Sequence, residues 1–290
     1  MAIGYVLYNE KAGTGKIADA MQTLKVQLKG ELKLIDVLKL KDYKEFVSNL
    51  TAEDYVVVAG GDGTLNRFVN NVEGLQIPCD VLYYPAGSGN DFARDVEQLN
   101  ATEPFSVSKW IQALPKVTVN GQTYRFLNGV GYGIDGYCCQ MGDVLRGIPG
   151  KKVDYTGIAI KGLLFHYKST NAKVTVDGIT TTHDHVWLAP TMFGRFYGGG
   201  MMPAPKQSRE SSDGKLSVMV YRSRSKLLAL IIFPSLFKGE HVKHKKHVKV
   251  YSGSEITVEY DRPTPLQIDG ETILNVTSYT AYAAPVKSAV

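Results

Sequence analysis

Short apolar runs alternate with helix-period stretches over the first 115 residues. Ile3–Tyr8 (IGYVLY) reads as a buried strand, residues 13–29 carry apolar positions at helical spacing, and residues 32–38 form a second strand candidate. Residues 55–59 (YVVVA) give the clearest strand, because three consecutive valines suit a sheet covered on both faces. That strand runs into Gly60-Gly61-Asp62-Gly63-Thr64, after which Leu65, Phe68, Val69 and Val72 mark one apolar helix face. The same order returns: a strand over 80–84, the turn Pro85–Asn90 (PAGSGN), and a helix opening at Asp91. Strand, glycine turn and helix, given twice, predict a parallel α/β sheet.

Beyond residue 116 the pattern becomes alternating. Asn120-Gly121, Asp177-Gly178 and Asp269-Gly270 each separate two period-2 runs. Such pairs supply the positive φ angles of type I′ turns, so three antiparallel hairpins are predicted. Residues 153–167 interrupt them with a helical stretch. The expected organisation is an α/β domain over 1–117 followed by an antiparallel β domain over 118–276. The strand-like tail 277–290 is open to either, including packing back on the first.

Composition narrows the class of protein. No apolar run reaches the ~18–20 residues needed to span a bilayer, and Met1–Tyr8 lacks the marks of a secretory signal. The three cysteines, Cys79, Cys138 and Cys139, include no CxxC pair and build no disulfide framework. With 33 basic against 28 acidic residues, the net charge of +5 is weaker than nucleic-acid binders usually carry. A cytoplasmic protein that does not bind nucleic acid is expected.

A strand feeding a glycine turn into a helix N-terminus suits phosphate, through backbone N–H groups and the helix dipole. Each of the two loops also bears an aspartate, Asp62 and Asp91. A carboxylate beside a phosphate is repulsive unless a cation mediates, so the pair suggests Mg²⁺-nucleotide chemistry and phosphoryl transfer. Asp91 equally suits a helix N-cap, and Thr64 a cap or a phosphate ligand. The segment Asn9–Lys16 is not a Walker A loop: Glu10 and Ile17 stand where Gly and Ser or Thr are required.

Taken in order, these segments resemble the diacylglycerol kinase catalytic-domain family, shared with sphingosine and ceramide kinases. Bacterial diacylglycerol kinases and YegS-like lipid kinases are the most similar in layout. The resemblance rests on Gly60-Gly61-Asp62-Gly63-Thr64 with Asn66, on Asn9 to Gly13, and on Gly87–Arg94 (GSGNDFAR). It continues through Tyr197–Met201, Pro203-Ala204-Pro205, Asp213–Leu216, Gly239-Glu240-His241 and Asp269-Gly270-Glu271. It implies a three-layer α/β nucleotide domain like that of NAD kinase, then an antiparallel β-sandwich, with ATP in the cleft. By the same resemblance Asn9, Gly13, Gly60, Gly61, Gly63, Thr64, Asn66 and Ser88 contact ATP. Asp62 and Asp91 organise Mg²⁺, and Glu271 takes the proton from a lipid hydroxyl. A second, structural Mg²⁺ is implied at the Asp213 side chain with the Glu210 and Lys215 carbonyls. The chain departs from the family in two places: Glu10 replaces a proline, and residues 115–118 (PKVT) lack an acid that bacterial members often carry.

The implied activity is ATP- and Mg²⁺-dependent phosphorylation of diacylglycerol or a related lipid. A kinase of NAD or a small diol on the same fold, and a non-catalytic lipid or nucleotide binder, are the alternatives. Residues 226–237 (KLLALIIFPSLF) precede a lysine- and histidine-rich run over 238–249. That arrangement suits peripheral contact with an anionic bilayer, and equally a core helix followed by a solvated loop. A homodimer is compatible with everything above.

Overall fold

A computed structural model describes residues 2–9, 16–148 and 153–284, which divide into two compact units, Met1–Ala113 and Leu114–Val290. The first unit runs β1 (Ile3–Tyr8), α1 (Lys16–Gln27), β2 (Glu31–Asp36), α2 (Tyr43–Ser48) and β3 (Tyr55–Gly60). It continues through α3 (Asp62–Asn71), β4 (Asp80–Pro85), α4 (Asp91–Asp95), β5 (Phe105–Ser106) and α5 (Ser108–Ile111). Its sheet has the order β2-β1-β3-β4-β5, parallel except for β5.

Neighbouring strand residues point to opposite faces, and the contacts follow suit. Ile17, Ala20, Met21 and Leu24 of α1 cluster with Val6, Val57 and Ala59. Tyr5 meets Phe46 of α2 edge-on at 5.5 Å, and Tyr43 of α2 meets Phe68 of α3. The valine run is completely buried, as expected of a sheet with helices on both faces. This is the three-layer arrangement expected from the sequence.

The second unit begins with β6 (Lys116–Val119), β7 (Gln122–Arg125), β8 (Gly129–Tyr132) and α6 (Ile134–Arg146). Next come α7 (Tyr155–Lys161), a π-helical turn Gly162–His166, β9 (Thr170–Val176), β10 (Ile179–Leu188), β11 (Thr191–Met192) and β12 (Leu216–Arg222). The unit ends with α8 (Lys226–Ile232), 3₁₀ turns Phe233–Lys238 and Glu240–Lys243, β13 (Val248–Gly253), β14 (Glu255–Ile268) and β15 (Glu271–Tyr282). All strand pairs are antiparallel. The sandwich proves to be one continuous sheet: β14 pairs with β8 through Leu266–Ile268 and with β9 through Ile256–Tyr260. Register shifts between Glu259 and Leu266 mark where β14 bends to serve both partners.

All three hairpins form, with both turn residues at positive φ: 49° and 76° at Asn120-Gly121, 46° and 82° at Asp177-Gly178, and 46° and 96° at Asp269-Gly270. β6 lies in the second sheet, so the units part before Leu114 rather than after residue 117. Within the second unit Tyr279–Tyr282 of the tail pair with β6, and the tail's last residues, 285–290, lie outside the described residues. Helix α6 has no counterpart in the periodicity of the sequence.

Candidate active site

The two glycine loops of the α/β unit pack backbone against backbone. A Cβ on Gly87 would fall 2.4 Å from the Gly61 Cα, so the approach is open only to glycine. Ala86 N–H donates to Gly60 O at 2.9 Å, and the buried Tyr83 hydroxyl donates to the same carbonyl at 3.0 Å. Asn90 closes the second loop at φ 52°, a left-handed conformation that asparagine tolerates. Its Oδ1 accepts from Gly87 N–H, and its Nδ2 donates to Gly87 O.

Asp62 joins the loops. Its Oδ2 accepts from Asp91 N–H at 2.9 Å and its Oδ1 from Phe92 N–H at 2.8 Å. Two expectations are thereby corrected. Asp91 is the first residue of α4, whose opening N–H groups are capped by Asp62 from the other loop. Thr64 is not a cap either, because α3 already starts at Asp62; it is buried inside the first turn with its hydroxyl against Gly60. Asp91 is buried, and both carboxylates bear on Tyr83, whose hydroxyl burial chiefly pushes far above its usual range.

Of the expected ATP contacts, Gly60, Gly61, Gly63 and Thr64 lie together at the β3–α3 junction, and Ser88 is exposed at the apposed loop. Asn66 is buried in α3, where its Oδ1 accepts from Asn70. Asn9 follows β1, and Gly13 lies outside the described residues.

In the β unit Glu271 opens β15, exposed at the Asp269-Gly270 turn and paired with Ile268. The turn is anchored deeply. Buried Asp269 accepts backbone N–H groups from Leu127, Asn128 and Gly129 with its two carboxylate oxygens. Arg209, also buried, binds Leu127 O at 3.0 Å and Asn128 Oδ1 at 3.1 Å from the other side. Gln267 Oε1 accepts from Gly270 N–H at 2.7 Å. The neighbouring Thr272 hydroxyl donates to Asp143 of α6 at 2.6 Å.

Beneath this turn α6 presents Asp135, which no pattern in the sequence singles out. Burial pushes its carboxyl up to about 6, against the smaller pull of the Gly136 N–H, Tyr197 and Gln267. Neither of its oxygens completes a hydrogen bond of normal geometry, nor does the Tyr197 hydroxyl. The close fit relies on Gly131, where a Cβ would overlap the Asp135 Oδ2.

The oxygen-only pair Asp62 and Asp91 suits a hard cation such as Mg²⁺. Asp213 is placed differently. Its Oδ1 accepts from the Ser211 hydroxyl and the Lys215 N–H, which hold the carboxyl below its usual value, and the Lys215 ammonium lies 3.8 Å from Oδ2. That carboxylate is compensated by lysine, and no group of three or more His, Cys, Asp or Glu side chains suited to a metal occurs among the described residues. The structural ion implied by the resemblance would take the Asp213 carboxylate with two main-chain carbonyls of the same loop, Glu210 and Lys215, and the Lys215 carbonyl accepts from Gln207 Nε2 at 2.9 Å.

Helix α8 has two apolar faces: Ala229 and Ile232 are buried in the core, while Leu227 and Ile231 are each 66% exposed. Lys226 Nζ donates to Leu164 O, bringing α8 beside Phe165, which is 74% exposed. No helix among the described residues is long and apolar enough to cross a membrane.

A diacylglycerol kinase catalytic domain model matches residues 4–118, and a model described as the YegS C-terminal NAD kinase beta sandwich-like domain matches residues 128–286. A diacylglycerol kinase of Mycobacterium tuberculosis (strain ATCC 25618 / H37Rv) is 28% identical over 197 residues, covering 66% of this chain and 62% of that protein's length. A Staphylococcus aureus (strain Newman) protein carrying a provisional lipid kinase name is 27% identical over 284 residues, 91% of this chain and 87% of its own. The crystal structure of a diacylglycerol kinase from Bacillus anthracis str. Sterne shares the fold, with a TM-score of 0.58 at 19% identity over 97% of this chain and 93% of that one. The C-terminal model alone spans more than half of the chain, and with the catalytic-domain match before it this protein belongs to the diacylglycerol kinase family in its YegS-type form.

Proposed function

We propose that the chain is a lipid kinase that transfers the γ-phosphoryl group of ATP to a hydroxyl of diacylglycerol or a related lipid. The observation that carries this reading is the Asp62 clasp on the Asp91 and Phe92 amides, which fixes two glycine loops and two carboxylates as one rigid group. Gly60, Gly61, Gly63, Thr64 and Ser88 are the groups to receive the nucleotide, with backbone N–H groups free of side-chain obstruction at the glycines. Asp62 and Asp91 would hold Mg²⁺, which when bound neutralises charge on the phosphate oxygens.

The lipid hydroxyl oxygen bonds to the γ-phosphorus as the bond to the β-phosphate oxygen breaks, and the hydroxyl proton passes to the Glu271 carboxylate. A loose transition state asks little of the base, so Glu271 contributes mainly by position. Asp269 ties its turn to the backbone of residues 127–129, where β8 begins, and Gln267 bonds the turn itself. Phe165, Leu227 and Ile231 supply an apolar surface for reaching a substrate held in a bilayer.

The test is transfer of label from γ-labelled Mg-ATP into total lipid extract, with Asp62→Ala and Glu271→Ala alongside. A labelled lipid that disappears in both variants is expected. ATP binding without lipid labelling would overturn the lipid acceptor, and NAD and small diols would then be screened as acceptors.

A further inference from the structure

On the β unit, away from the Glu271 turn in sequence, lies a cavity of about 660 Å³ whose charge the kinase reading does not use. Lys206, Lys215, Lys245 and Lys249 line it, with Asp213 as its only acid among the described residues. Asp213 is already matched by Lys215 at 3.8 Å. Lys206, Lys245 and Lys249 have no ion pair among the described residues, and they come from three separate segments: the loop after Pro205, the turn after His244, and β13. Three cations brought to one concavity repel one another and focus a positive potential there.

The cavity has a built floor. The buried Ser217 hydroxyl donates to Gln207 Oε1 at 2.6 Å, Gln207 Nε2 donates to Lys215 O at 2.9 Å, and Ser252 Oγ lies 2.9 Å from Ser217 Oγ. Its sides are tied as well. His241, completely buried, donates from Nε2 to Pro203 O at 2.9 Å, which fixes the turn bearing Lys245 against the loop bearing Lys206. A pre-formed pocket of this size exceeds a bare phosphate ion and falls within the ~300–1,000 Å³ of small-molecule sites.

We propose that this pocket binds a phosphorylated polyol, the phosphate held by Lys206, Lys245 and Lys249 and the carrier's hydroxyls by Ser208 and Ser211. The same chemistry occurs in the headgroup of an anionic glycerophospholipid and in a free phosphorylated polyol, and none of the pocket's lining residues is among the groups assigned to phosphoryl transfer.

The intact protein and a Lys206→Ala/Lys245→Ala/Lys249→Ala variant are titrated with glycerol 3-phosphate by calorimetry, and with phosphatidylglycerol vesicles against phosphatidylcholine vesicles by flotation. A Lys25→Ala/Lys41→Ala/Lys44→Ala variant removes the same charge from exposed positions of the α/β unit. Binding of either probe that weakens at least tenfold in the pocket variant and is kept in the control variant is the expected result. Calorimetric binding identifies a free ligand, and binding only to phosphatidylglycerol vesicles identifies a headgroup. Failure of wild type to bind either probe, or equal weakening in both variants, overturns the proposal. These readouts measure binding, so they stand whether or not lipid phosphorylation is found.

Discussion

Replacing Asp135 with asparagine should make the protein more stable at neutral pH, by an amount the structure sets. The buried carboxyl titrates near 6 in the folded chain against a usual value of 3.8, because burial disfavours its charged form. Between those values the folded state binds a proton that the unfolded state has lost, so this group's contribution falls as pH rises and is at its worst above about 6. A tenfold change in proton affinity is worth about 1.4 kcal/mol, so the difference between 6 and 3.8 costs about 3 kcal/mol at pH 7.5. The cost falls to roughly 1.5 kcal/mol at pH 5 and about 0.5 kcal/mol at pH 4.

Asparagine keeps the shape and a polar end for Tyr197 and Gln267 but carries no charge to desolvate. At about 2–4 °C per kcal/mol for a domain of this size, Asp135→Asn should raise Tm by roughly 6–12 °C at pH 7.5. The assay is calorimetric melting of both proteins between pH 4.5 and 7.5, read as the difference between them, which cancels the titration of every other group. A difference that stays constant across that range, or a variant that melts lower at pH 7.5, refutes the argument that an ionised carboxylate is being held in the core.

Three further outcomes are expected. Gly87→Ala should destabilise the α/β unit by at least the ~1–3 kcal/mol typical of overpacking and weaken ATP binding, because the new Cβ meets Gly61 backbone 2.4 Å away; melting and nucleotide titration check this. Asp269→Ala strips three buried backbone N–H groups of their acceptor and should cost ~3–5 kcal/mol by denaturant unfolding, whereas the exposed Glu271→Gln beside it should change stability little. His241 is held neutral by burial, its pKa below the usual 6.5, so the folded state declines a proton that the unfolded state accepts. Stability is therefore lost as pH falls below about 6.5, and His241→Gln should flatten the fall between pH 7 and 5.

What the sequence revealed and what it hid divide along physical lines. The parallel sheet and the three hairpins were legible because their signals are local: a valine run, and Asn-Gly or Asp-Gly between alternating residues. Helix α6 was hidden by Gly136 and Gly142, which read as helix breakers. They are packing glycines: a Cβ on Gly136 would meet Pro265 O at 2.1 Å, and one on Gly142 would meet the Tyr155 ring at 2.8 Å. Losing that helix meant losing Asp135, whose neighbours Gln267 and Tyr197 are distant in the chain. Asp269 was legible only as a turn residue, since its partners lie about 140 positions earlier. The fold of each unit was readable, and so were the two glycine loops. The supports beneath Glu271 were not.

Those supports share a logic with the glycine loops. Asp62 and Asp269 each use both carboxylate oxygens to hold backbone N–H groups of a segment distant in sequence, and each stands within two residues of, or bonded beside, an acid given a chemical role. A main-chain donor is lost only by substitution to proline, so such a clasp fixes position more durably than a side-chain pair. The consequence separates position from chemistry. An Asp269→Asn variant keeps one acceptor oxygen and the Glu271 carboxylate, so it should lower the transfer rate and the stability together. Glu271→Gln keeps that clasp and removes the proton acceptor, so it should lower the transfer rate with little change in stability. If Glu271→Gln kept the full wild-type rate while Asp269→Asn lost it, Glu271 would not be the group that takes the proton.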